Sequence, residues 1–151
     1  MLTEAEQEKR RARNRVHWET GVAFQKACEM KVLRWDPEGV EMLLPLRSDL
    51  TAHPGVFHGG VISALIDTAG CACVAAGHDY NHGDRITTVA LSVQYQTVDP
   101  GVGAVAYARC SRRGRQINYA DVVVRSENGK ELARGLVTVS ATGRRDAKDG
   151  H

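Results

Sequence analysis

Residues 56–77 read VFHGGVISALIDTAGCACVAAG and carry a single charged side chain, Asp67. At about 3.6 residues per turn the run amounts to roughly six turns of helix. On a wheel of about 100° per residue, Ile62, Leu65, Ile66, Ala69, Cys73 and Ala76 gather on one side, the apolar stripe of a helix lying on a sheet. Gly60, Ala64, Asp67, Cys71 and Val74 fall on the other. A face turned to water would carry Lys, Glu and Gln, whereas this one is small or apolar except for Asp67. The segment is expected to be buried on both sides, with a carboxylate inside.

A buried carboxylate is costly unless something pairs with it. A structural Asp would bond a neighbouring hydroxyl such as Ser63 or Thr68. Against that reading stands His58-Gly59-Gly60 at the helix start, where unpaired NH groups and the positive end of the dipole can receive charge developing on a substrate oxygen. Glycines there admit a ligand close to the backbone. Asp67 follows Gly59 by eight residues, about 12 Å along the axis, so one helix cannot bring both to a single reacting carbon. A two-fold dimer with antiparallel helices could, and Gly60, Ala64 and Gly70 would permit the approach. The expectation is a site shared between subunits.

The chain has 151 residues, enough for one domain with a core and too few for two ordinary ones. A net charge of +2 argues against a dedicated nucleic-acid binder. No stretch reads as a membrane span, because even the central helix is rich in Gly, Ala and Cys and is broken by Asp67. No secretory pattern precedes the first helix. Of the four cysteines, Cys28, Cys71, Cys73 and Cys110, the central pair is two apart on a helix and cannot readily share a metal ion. They read as small core thiols in a reducing cytoplasm, with no metal site.

In chain order, Thr3-Glu4-Ala5-Glu6 has capping-box spacing and opens a charged helix to about Trp18. Its run of Lys9, Arg10, Arg11, Arg13 and Arg15 reads as a solvated face, with the holding of a phosphorylated ligand or an acidic surface as the alternative, and Phe24 is expected to tack the segment onto the domain. Residues 28–34 and 39–46 read as strands joined by the turn Asp36-Pro37-Glu38-Gly39. A loop over 48–55 leads to the central helix. Four strands follow, over 85–98, 102–111, 116–126 and 131–142, with turns at Arg112-Arg113-Gly114-Arg115 and Asn128-Gly129. The fold expected is α+β, an antiparallel sheet wrapped around one long central helix with an extra N-terminal helix. Residues 1–27 form the N-terminal helix and connector, 28–142 the domain, and 143–151 a disordered tail.

Gly55-Val56-Phe57-His58-Gly59-Gly60, followed by Leu65-Ile66-Asp67-Thr68-Ala69, resembles the signature of hotdog-fold acyl-CoA thioesterases of the phenylacetate-degradation (PaaI-like) type. The resemblance spans roughly residues 28 to 142. It implies that Asp67 is the catalytic carboxylate, as nucleophile or as general base for water. Gly59 would polarise the thioester carbonyl through its NH, with His58 shaping the site. Thr88 would assist Asp67 or its water. It also implies hydrolysis of an acyl-CoA, with CoA as part of the substrate and no cofactor, by a homodimer or homotetramer. One position departs from the pattern: six residues before the His, relatives carry Asn or Gln, and here stands Ala52. His53 beside it is a candidate substitute, or a loop residue before Pro54.

Other chemistries of the fold fit less well. Hydratases of the MaoC type need an Asp and a His five apart, and neither Asp49, Asp67 nor Asp79 has one. The Glu-bearing thioesterases are less suitable, because the helix offers Asp. A non-catalytic acyl-CoA sensor is the alternative, although such sensors usually bring a DNA-binding domain. For substrate contacts the candidates are His53, Gly60 and Ser63, with Arg112, Arg113 and Arg115 for the CoA phosphates. The plain reading of those arginines is a charged hairpin turn.

Overall fold

The computed structural model describes residues 1–143, so the expected tail lies outside the described residues apart from Gly143. The chain opens with α1 (Glu4–Val16), whose Thr3 cap forms the full capping box with Glu6. A π-helical turn, His17–Gly21, leads to α2 (Ala23–Ala27). Then come β1 (Lys31–Asp36) and β2 (Gly39–Leu44), joined by a turn in which Asp36 Oδ1 accepts from the NH groups of Glu38 and Gly39. A 3-10 turn, Ser48–Leu50, precedes β3 (Thr51–His53) and β4 (Val56–Phe57). The central helix α3 (Gly59–Ala76) follows, and the chain closes with β5 (Arg85–Tyr95), β6 (Ala104–Arg113), β7 (Ile117–Ser126) and β8 (Glu131–Thr142).

Six strands form one antiparallel sheet in the order β1-β2-β6-β7-β8-β5. The sheet wraps α3, which is the hotdog arrangement expected from the sequence. Ile62, Leu65, Ile66, Ala69, Cys73 and Ala76 are all buried, against Met42, Leu44, Val122, Val124, Val137 and Val139 of the strands. Gly70 belongs to this contact and not to a helix–helix approach: a Cβ there would stand 2.6 Å from Val137 Cγ2. The opposite face is less enclosed than its composition suggests. Cys71 and Val74 are buried, Ala64 and Asp67 half-buried, and Gly60 exposed.

Three further expectations are corrected. Val56 and Phe57 are strand, and the loop before the helix is a small hairpin turning at Pro54-Gly55, where Gly55 takes φ +73°. By length and composition α3 could cross a membrane, with 18 residues and a mean hydropathy of 1.6; 61% of it is buried inside the fold, as befits a core helix. Phe24 is 52% exposed and does not hold the N-terminal arm. That task falls to Gln7, which bonds Asp79 Oδ1 (2.5 Å) and the Tyr80 NH (2.9 Å). Trp18 packs at a tilt against Trp35 and donates its Nε1–H to the Thr68 carbonyl at 3.3 Å.

Candidate active site

Gly59, Ser63, Asp67 and Cys71 recur every fourth residue and so run as one line along α3. β5 covers that line. It is an edge strand of the sheet, hydrogen-bonded on one side to β8. Thr88 lies where β5 bulges, between Thr88 and Ala90, with Val89 turned out to 59% exposure. Such a bulge re-aims a side chain, and here Thr88 points at the helix. Its hydroxyl donates to Asp67 Oδ1 at 2.5 Å, and Cys71 Sγ lies 3.0 Å from the same hydroxyl. A hydrogen bond to a charged acceptor contributes about 1.5–3 kcal/mol, which offsets much of the cost of half-burying Asp67. The bonding hydroxyl is thus neither Ser63 nor Thr68. Ser63 Oγ makes a short contact with Tyr95 OH instead.

Seven residues further along β5, Tyr95 serves the other end of the line. Its hydroxyl donates to the Gly59 carbonyl at 2.8 Å, and its ring lies over the glycine, where a Cβ would stand 3.4 Å from Cζ. His58 caps the helix: its Nδ1 accepts the Gly60 NH at 2.9 Å, and its carbonyl accepts the NH groups of Val61 and Ile62. An accepting Nδ1 leaves the ring proton on Nε2. Of the first amides of α3, the Gly59 NH is left with no acceptor among the described residues. Beside it opens a cleft of about 220 Å³ lined by Phe57, Gly59, Ile62, Tyr95, Val98 and Leu132 among others. Its wall is mostly apolar, suited to a small hydrocarbon or aromatic group.

Gly60 is spent on the His58 cap, and His53 sits exposed on β3 next to Ala52. The arginines are not gathered at Gly59. Arg113 closes the far end of α3, bonding the carbonyls of Val74 (2.9 Å) and Cys73 (2.9 Å) and reaching that of Pro37 (3.2 Å). The fifteen rises from Gly59 to Val74 make about 22 Å of helix. Arg113 is therefore a helix cap, because four C-terminal carbonyls need donors and its planar fork reaches two of them. Arg112 and Arg115 are exposed beside it. Sequence reasoning missed Tyr95 and Cys71 as neighbours of the site; an i+4 count along the helix would have flagged Cys71. Among the described residues, no three His, Cys, Asp or Glu side chains come together to hold a metal ion.

Residues 54–133, over half of the chain, match a family model described as the thioesterase superfamily. Comparison with curated protein sequences gives no match. Among solved structures the fold is similar to that of a thioesterase from Haemophilus influenzae, at 17% identity and a TM-score of 0.77, over 98% of this chain and 96% of that one. It is similar to a thioesterase family protein from Silicibacter pomeroyi at 17% identity and a TM-score of 0.78, covering 90% and 98%. A hypothetical thioesterase from Streptococcus pneumoniae, solved with coenzyme A, aligns at 19% identity and a TM-score of 0.67, covering 78% and 88%. At these identities the structures speak to the fold alone.

Proposed function

The chain belongs to the thioesterase superfamily, and from that membership and the geometry above we propose that it hydrolyses an acyl-CoA thioester at a site shared by two subunits. The carrying observation is the division of labour along one flank of α3. Asp67 has Oδ1 held by Thr88, while the Gly59 NH stands unused about 12 Å away. Both flank the free edge of β5, where a two-fold partner would bring its own glycine to Asp67. An exposed eleven-residue edge strand is itself a ready pairing surface.

In this reading the thioester carbonyl sits against the Gly59 NH at the helix start, and its oxygen is stabilised as it becomes anionic. One such donor contributes on the order of 3 kcal/mol in the transition state. Asp67 of the other subunit either attacks the carbonyl carbon or takes a proton from an attacking water, and the thiolate of CoA leaves. The acyl group occupies the apolar cleft beside Phe57 and Tyr95. Arg112 and Arg115 of a partner subunit remain the candidates for the CoA phosphates, since Arg113 is committed to the helix. The coenzyme A in the pneumococcal neighbour supports a CoA-linked substrate.

The test is thiol release from aromatic, short-chain and medium-chain acyl-CoAs, with Asp67→Asn as the control. Turnover is expected for at least one class, and its loss by about 10³-fold or more in the variant. An undiminished rate in Asp67→Asn would overturn the assignment. Tight binding of every acyl-CoA with no turnover would favour a sensor.

A further inference from the structure

Cys71 stands one turn after Asp67, and its sulfur lies 3.0 Å from Thr88 Oγ1 and 4.0 Å from Asp67 Oδ1. Thr88 has one hydroxyl proton, and it is given to Asp67 Oδ1. The Thr88 oxygen can then only accept from the thiol, and of the two acceptors the S–H can reach it is the nearer, at 3.0 Å against 4.0 Å for Asp67 Oδ1. Burial pushes the Cys71 thiol up to about 11, which leaves it protonated and able to donate at neutral pH. The three groups form a chain with one direction, thiol to hydroxyl to carboxylate. Each bond in such a chain polarises the next. Asp67 Oδ2 has no bond to any described residue.

Packing alone does not ask for sulfur here. Ala72, Ala75 and Ala76 follow on the same helix and are completely or almost completely buried, so a small apolar residue is well tolerated in this stretch. A thiol adds a donor, and the donor faces the one hydroxyl that holds the carboxylate. We propose that Cys71 is a positioning residue for the carboxylate: its S–H sets the Thr88 hydroxyl toward Asp67 Oδ1 and thereby keeps Oδ2 on the reacting side. This rests on the hydrolytic reading above, in which Asp67 reacts.

The experiment is a double-mutant cycle on the intact protein, with kcat and KM measured on the best acyl-CoA of the panel. Cys71→Ala is expected to lower kcat about three- to tenfold, the loss of one ordinary hydrogen bond. KM should stay within about twofold, because the thiol touches no substrate. In a Thr88→Val background, which is slower to begin with, the same change is expected to have an effect below about 1.5-fold, since no hydroxyl is left to orient. Cys71→Ser keeps a donor and should return at least about half of the lost rate. Thermal unfolding of each variant establishes that the folded fraction is equal. An equal factor in both backgrounds, or a serine variant no faster than the alanine one, overturns the proposal. If Asp67→Asn keeps full activity the hydrolytic reading itself fails; if it is inactive while the cycle is additive, only the role of Cys71 falls.

Discussion

The two ends of α3 are built from the same kind of sequence and finished in opposite ways. At the C-terminal end every residue from Ala72 to Ala76 is buried, and the carbonyls are taken up: Cys73 and Val74 by Arg113, Ala75 by the Tyr80 hydroxyl. The capping NH groups of Gly77 and His78 turn back on Val74 and Ala75. At the N-terminal end His58 and Gly60 are exposed, one amide is left over, and the covering Tyr95 is itself 55% exposed. One end spends its polar groups on stability and the other keeps one in reserve. If the proposed site is right, stability and chemistry are separable along a single helix, and substitutions at the two ends should move different measurements.

Of the two ends, the open one carries the larger effect. Gly59→Pro removes the spare NH at a position where proline fits a helix and where His58, at ψ 135°, already has the conformation that precedes a proline. It is expected to lower kcat by about 10²- to 10³-fold with little change in Tm. Mixed with Asp67→Asn chains, it should regain part of the activity in verified hybrid dimers, because each hybrid retains one complete site; hybrids as dead as their parents would count against the shared site. At the closed end, Arg113→Ala takes the arginine donor from the Cys73 carbonyl and leaves that of Val74 with the Gly77 NH alone, and should cost about 1–2 kcal/mol, read as a Tm lower by several degrees. Its KM for acyl-CoA should not change, and a raised KM would return Arg113 to the phosphates.

A smaller signature is tied to pH. His78 is buried, which holds its ring below the usual histidine range, while its nitrogen bonds the Gly83 carbonyl. As pH falls below about 6.5 the unfolded chain takes up a proton that the folded one refuses. Stability due to this residue is therefore complete above about pH 6.5 and is lost as pH drops toward the lowered folded value. Tm measured from pH 7.5 down to 5 should fall more steeply in the wild type than in His78→Gln, whose amide can reach the same carbonyl; parallel curves would remove His78 from the account. The smallest effect is expected of Tyr95→Phe, which keeps the ring over Gly59 and loses the hydroxyl that bonds its carbonyl and meets Ser63 Oγ. A drop in kcat of about two- to fivefold would sharpen the contrast, since exposed hydrogen bonds contribute little.

Much of this was legible because it is local. A capping box, an Asp-Pro-Glu-Gly turn and the apolar stripe of the central helix are patterns within a few residues, and each is found in the structure, the helix starting three residues later than its pattern. Asp67 stood out because a lone charge in an apolar run needs a partner. Which partner was not legible from spacing: Thr88, Tyr95 and Arg113 meet α3 from strands 21 to 40 positions away, and pairing register with a bulge decides which side chain points in. Ser63 was the natural suggestion for Asp67 at i−4, yet the side chain across the sheet claimed it. The arginines of the β6–β7 turn read as a charged loop because charge shows in sequence, whereas an open helix end to be capped does not.

β5 carries both residues that hold the proposed reacting points of α3, Thr88 at the carboxylate and Tyr95 at the glycine, and it does so as a border strand with one side of its backbone unclaimed by the chain's own sheet. Any slip of that border by a single position would exchange inward and outward side chains and release both grips together. Whatever settles against the rim of the sheet therefore touches the register on which the two grips depend, so that docking there and the alignment of Asp67 with Gly59 are mechanically one adjustment.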